Sequence, residues 1–167
     1  MQLMPGLELS RRYFHEAVEP VLAAAFPGLR YGAALIGPGS EVQGFDDAMS
    51  TDHNWGPRVL LFLAANDMAA LGGEVGARLE AALADDFLGW PTRIEIDDPT
   101  AHDAGGHGRR PASLRIEIHA LAQWVHGWLG MDAGRDPDWR AWLGNARLLS
   151  PGEGALRPPL PAAASGR

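Results

Sequence analysis

Four small residues, Gly37, Pro38, Gly39 and Ser40, follow an apolar run and open a polar stretch crowded with acids. Glycines at 37 and 39 let a phosphate approach backbone N–H groups that a bulkier side chain would shield, although Pro38 itself brings no N–H. A helix opening near Ser40 would add its positive dipole end. Twelve positions further on, Asp52 begins the step Asp52-His53-Asn54. In an extended chain residues 52 and 54 point one way and residue 53 the other. A carboxylate and a carboxamide would therefore face the glycine turn together, and Arg58 follows within reach of a phosphate or of Asp52. These residue types suit the binding of a phosphorylated ligand beside a cation.

The elements that must position these groups are legible from periodicity. Residues 31–63 read as strand, loop, strand, with 31–36 the first strand and 55–65 the second. Val59 to Leu63 are apolar on both faces, which predicts a central strand covered on both sides. Upstream, Phe14, Val18, Leu22 and Phe26 recur every four residues and predict an amphipathic helix over 7–26, kinked at Pro20 and ended by Pro27-Gly28. Downstream, Leu71, Val75, Leu79 and Leu83 form the stripe of a helix over 67–86, capped by Asp67. Short strands are expected at 92–96 and 113–118. In the latter Leu114, Ile116 and Ile118 face inward and Arg115, Glu117 and His119 outward. A helix over 121–129 carries Trp124, Val125 and Trp128, and another over 138–149 carries Trp139 and Trp142; aromatic residues at helical spacing read as core. The order of elements predicts an α+β domain, a mixed β-sheet flanked by helices.

Composition narrows the chemistry. At 167 residues and 46% hydrophobic the chain can build one core. It has no cysteine, which removes thiolate metal sites, Cys nucleophiles and disulfides. All 14 basic residues are Arg, which excludes Schiff-base chemistry and a Walker-type Lys and leaves Arg as the strong cation for a phosphate. A formal charge of −7 with scattered Arg lacks the footprint of a duplex nucleic-acid binder. No apolar run approaches the roughly 20 residues of a membrane span, and no secretory leader pattern is present, so the expected location is cytoplasmic.

Gly39-Ser40, Gly44, Ser50, Asp52 and the polar position 54 together resemble the signature of the nucleotidyltransferase superfamily, in which Gly-Ser is followed about a dozen residues later by Asp-x-Asp. The longer string GxGSExxGFDDxxSTDHxWGPR resembles more narrowly an uncharacterised bacterial domain family placed in that superfamily. Ile116-Glu117-Ile118, Trp124 and Trp128-Leu129-Gly130 match the strand and helix of the same family, so that the resemblance spans about residues 7–150. It implies a nucleotidyltransferase-like core over 1–133, the start of a helical C-terminal part over 134–149 and, with the low apolar periodicity there, a disordered tail over 150–167. The family continues with more helix, so the chain looks short at its C-terminus.

The activity implied is Mg²⁺-dependent transfer of a nucleoside monophosphate from an NTP to an acceptor hydroxyl of a small molecule or protein. Gly37, Gly39, Ser40 and Arg58 would bind the nucleotide. Asp52, Asn54 and Glu117 would form the catalytic set, with Asp52 and Glu117 as Mg²⁺ ligands. Position 54 is Asn where the pattern has Asp, and an amide oxygen is a poorer Mg²⁺ ligand than a carboxylate. The alternative is a catalytically degenerate fold that binds nucleotide or a partner chain without turnover. The third acid falls on Glu117 or Glu95, with the narrower resemblance favouring Glu117; a solvent-facing Glu is the plain reading of either. Residues 97–111 hold Asp98, His102, Asp103 and His107 among glycines and read as a mobile loop. A metal hydrolase built from Asp52, His53, His102 and His107 is a third reading, without a compact ligand motif to link them.

Overall fold

The computed structural model describes residues 4–37, 40–43, 55–94, 97–103, 106–109, 112–130 and 132. Helix α1 (Gly6–Tyr13) runs into a π-helical turn, Phe14–Val18, and on into α2 (Glu19–Ala25). The expected kink at Pro20 is thus a widened turn instead. Pro20 has no N–H to give the Glu16 carbonyl and its ring would crowd that carbonyl, and in the π turn the Glu19 N–H bonds Phe14 O, five residues back. The extra residue shifts the phase of the helix. Leu9 and Tyr13 are buried before the π turn, Phe14 and Val18 at its two ends, and Leu22 after it. Ion pairs Arg11–Glu8 (2.6 Å) and Arg12–Glu16 (2.6 Å) line the solvent side. Gly28, at φ +92°, takes a left-handed turn beyond the helix that a side chain would resist.

Strands β1 (Tyr31–Ala34) and β2 (Val59–Leu63) pair antiparallel, from Tyr31 opposite Leu63 to Ala34 opposite Leu60. Between them lies the four-residue helix α3 (Ser40–Gln43). Every residue of β2 is buried, and β2 is the central strand, as its unbroken apolar run predicts. After β2 comes helix α4 (Ala65–Ala82). Asp67 sits within its first turn, where its charge favours the helix dipole, while Ala64 occupies the cap position without a side-chain hydrogen bond. Val75 and Leu79 are buried on its inner stripe, and Leu83 is buried just past its end.

Three small ribbons follow. Strands β3 (Asp86–Phe87) and β4 (Trp90–Pro91) form a hairpin whose turn residues Leu88 and Gly89 have φ of +54° and +83°. Strand β5 (Arg93–Ile94) pairs with β8 (Ser113–Leu114). Between them β6 (Asp97–Asp103) and β7 (Gly106–Arg109) make a hairpin, where a mobile loop was expected. Gly106 and Gly108, among the glycines that suggest a loop, lie within β7, and Gly106 pairs with Asp103. The strand expected over 113–118 is split at Arg115 into β8 and β9 (Ile116–Ala120). Arg115 donates its N–H to Thr92 O (2.9 Å) and its carbonyl accepts from Val59 N–H (3.0 Å), so its backbone joins the ribbon to the main sheet. Across the break Leu114 is buried and Glu117 exposed, as the alternation implies, but Arg115 and His119, expected outward, are half-buried.

Strand β9 pairs parallel to β2, from Val59 opposite Ile116 to Leu63 opposite Ala120, which completes a mixed sheet ordered β1-β2-β9. Helix α5 (Leu121–Leu129) follows directly and ends at Gly130, at φ +68°. Helices cover both faces. Val59 and Leu61 pack with Tyr13, Val18, Leu22, Val75 and Leu79 on one side; Leu60 and Phe62 pack with Ile36, Trp124 and Trp128 on the other. The fold is α+β, a mixed sheet flanked by helices, as its pattern implies. Among the described residues no helix is long and apolar enough to cross a membrane.

Candidate functional site

The register of the sheet gathers the candidate segments at one of its ends. Ala34, the last residue of β1, lies opposite Leu60, near the start of β2, and Leu60 in turn lies opposite Glu117, near the start of β9. Gly37 is three residues beyond Ala34, Ser40 opens α3 and Arg58 immediately precedes β2. Gly37, Ser40, Arg58 and Glu117 therefore issue from neighbouring strand ends although they are spread over some eighty positions of sequence. Gly39, Asp52, Asn54, His53 and Glu95 lie outside the described residues.

Gly37 has φ +119°, a conformation that disfavours any Cβ, and open space around the position a Cβ would take. Its glycine is required by the backbone rather than by a neighbour. Arg58 is held at both ends. Its N–H donates to Ser10 Oγ (3.1 Å), and its Nη2 donates to Glu41 Oε1 at 2.5 Å in a pair that is mostly shielded from water. Arg58 thus clamps α3 to the start of β2, and α3 in turn packs against α1. A Cβ on Gly6 would come within 2.6 Å of Glu41 Cβ and 2.7 Å of Trp55 Cη2, so the missing side chain at Gly6 makes that approach possible.

Glu117 is 64% exposed at its side chain, and its Oε2 lies 3.0 Å from His119 Nε2. The His119 ring stacks on Phe62, with centroids 6.1 Å apart. A carboxylate open to solvent, with one oxygen oriented by an imidazole, has a lone pair left for a cation or a proton. Among the described residues no group of three or more His, Asp or Glu is arranged to hold a metal ion. The hairpin does set His102 directly opposite His107 in its register.

Glu41, Trp55, Arg115 and His119 surround the candidate residues and went unremarked as site residues in the sequence. Arg115 is half-buried, and burial first, then the nearby Arg58 guanidinium, pull it below the usual arginine value, with Glu41 pulling the other way. Gly56 lets this happen. Its Cβ position would fall 2.4 Å from Pro91 O and 3.3 Å from Arg115 Nη1. Trp55 meets Trp90 edge to face at 6.1 Å, which anchors the chain just before Gly56. No local pattern announces these contacts; only the Trp-Gly-Pro-Arg run hinted that the entry to β2 was special.

No family model, no curated protein and no solved structure matches the chain.

Proposed function

We propose that the chain is a nucleotidyltransferase-like protein that binds an NTP with Mg²⁺ and transfers its nucleoside monophosphate to an acceptor hydroxyl. The observation that carries this reading is the convergence of Gly37, Ser40, Arg58 and Glu117 on one end of the sheet, with Asp52 three positions before Trp55 in the sequence. In this reading the turn at 37–40 receives the phosphates, and Asp52 and Glu117 supply the oxygen donors that Mg²⁺ favours, with Asn54 offering an amide oxygen. Bound Mg²⁺ would offset charge developing on the triphosphate. The acceptor oxygen attacks the α-phosphorus, the bond from that phosphorus to the bridging oxygen breaks, pyrophosphate leaves, and a carboxylate takes the hydroxyl proton. The same reading assigns the protein to the cytoplasm, where NTPs and Mg²⁺ are at hand. Asn54 favours a second reading, a binding module that holds nucleotide or a protein partner without turnover.

Calorimetry with a non-hydrolysable NTP tests the proposal. The parent should bind only with Mg²⁺, and Asp52→Ala should weaken that binding at least tenfold while melting within a few degrees of the parent. Equal Mg²⁺-dependent affinity in the two proteins would sink the assignment of Asp52. Release of pyrophosphate from a hydrolysable NTP separates the enzyme from the binding module.

A further inference from the structure

The buried side-chain nitrogens beside this site that meet no acceptor among the described residues include Trp55 Nε1 and Arg115 Nε, with Arg58 Nε as a third. Trp55 directly precedes Gly56 in the chain, and Arg115 Nη1 and Cδ lie 3.3 and 3.6 Å from the position of a Gly56 Cβ. Arg115 enters no ion pair among the described residues; the Arg58 guanidinium acts on it as a like charge and Glu41 as an opposite one, and Glu41 is already bound to Arg58 Nη2. An arginine Nε–H withdrawn from water without an acceptor is costly, and the half-buried guanidinium that carries it has no hydrogen-bonded anion among the described residues. Arginine also presents its donors as a planar fork that matches phosphate oxygens two at a time.

Local strand propensity does not explain Arg115. Its backbone bonds to Thr92 and Val59 would be made by any residue but proline, and an outward polar residue at this position had solvent available. Instead the side chain is folded in against the backbone of Gly56, two residues beyond Asn54 and two before Arg58. It therefore stands beside the entry to β2, at the end of the sheet from which Gly37, α3 and Glu117 also issue.

We propose that Arg115 is a phosphate-binding residue of this site, its guanidinium gripping the polyphosphate chain of the ligand. For the identity of that ligand as a nucleotide the inference rests on the function proposed above; the site itself is for a polyphosphate anion. The chain carries a formal charge of −7, so attraction of such an anion must come from a local cation rather than from the overall field.

Inorganic tripolyphosphate, with and without Mg²⁺, is the probe. It should raise the melting temperature of the parent in a saturable manner, and sulfate at equal ionic strength should not. Arg115→Met should weaken tripolyphosphate binding at least tenfold, yet its ligand-free melting temperature should equal or exceed that of the parent, because a half-buried charge with an unsatisfied Nε–H has been replaced by an apolar chain of similar length. Arg115→Lys should keep part of the affinity, since it retains the charge and loses the fork. The inference is overturned if the parent does not bind tripolyphosphate, if Arg115→Met binds it as the parent does, or if Arg115→Met melts several degrees lower or fails to fold, which would make Arg115 a structural residue. Asp52→Ala keeps the two proposals apart. Should it leave Mg²⁺-NTP binding unchanged while Arg115→Met still abolishes tripolyphosphate binding, the nucleotidyl-transfer reading falls and the anion site stands.

Discussion

Replacing Gly56 by Ala adds one methyl group at the tightest backbone approach beside the candidate site. The new Cβ would sit 2.4 Å from Pro91 O. Ordinary contact is about 3.5 Å, so roughly 1 Å of movement must be found between the 55–58 segment and β4. Neither side yields easily: Pro91 is paired through its strand with Asp86, and Trp55 is packed on Trp90. Overpacking of this kind costs about 1–3 kcal/mol, and the φ of +159° adds strain for a residue with a side chain. With about 2–4 °C per kcal/mol for a domain of this size, the melting temperature should fall by about 3–10 °C. Gly73→Ala is the matched control, because it adds the same methyl inside α4 with nothing within 4 Å. That variant should gain up to about 1 kcal/mol from helix propensity. Opposite signs are therefore expected from one chemical change, read by thermal and urea melts of the three proteins. If Gly56→Ala melts within about 1 °C of the parent, the close approach to Pro91 is not a constraint, and the packing argument for Arg115 against Gly56 weakens with it.

Gly37→Ala should cost about 1 kcal/mol or slightly more, since φ +119° penalises the Cβ while the surrounding space does not, and Gly37→Val should cost little more than a further β-branched strain; urea midpoints of the pair test this, and a steep dependence on side-chain size would refute it. Glu80 ties α4 to the ribbon, accepting from Leu114 N–H at 3.0 Å and pairing with Arg93, which also reaches Asp85 at 2.5 Å. Burial raises the Glu80 carboxyl, but the Leu114 N–H and the Arg93 guanidinium together outweigh it and hold the carboxyl below its ordinary 4.5. A depressed folded value means the stabilisation is complete above 4.5 and is lost as pH falls through the folded value. Glu80→Gln should therefore lower stability by roughly 0.5–1 kcal/mol at neutral pH, discounted for its exposure, and by less at pH 3. An equal loss at both pH values would remove the ion pair from the account.

Local chemistry decided much of this protein. A run of five apolar residues, Val59 to Leu63, has to be a strand with both faces covered, and it is the centre of the sheet. The four-residue spacing of Phe14, Val18 and Leu22, and of Val75 and Leu79, reports one buried face wherever the helix docks. Of the alternation from Leu114 to His119, the buried Leu114 and exposed Glu117 are as the pattern implies, while Arg115 is folded in and His119 lies on Phe62. These patterns are legible because each is a preference of neighbouring residues for one side of a single element. The Asp67 cap and the length of the first strand were read less well, because helix and strand ends depend on backbone partners that periodicity does not name.

What the tertiary structure alone decided is how separate elements meet. The π turn answers a conflict between Pro20 and the need to bury residues on both sides of it. The hairpin at 97–109 forms from strand pairing that outweighs the loop preference of its glycines. Arg58 pairs with Glu41, seventeen positions away, and Arg115 lies against Gly56 where that residue passes close to Pro91. Such contacts join residues with no common periodicity, and their energies come from burial and charge in a space that exists only after the strands have paired. The glycine turn, the acids and the arginine could be recognised as candidates by type and spacing. That Gly37, Ser40, Arg58 and Glu117 share one end of the sheet was settled by register, in which an antiparallel and a parallel neighbour of β2 bring their ends to the same place.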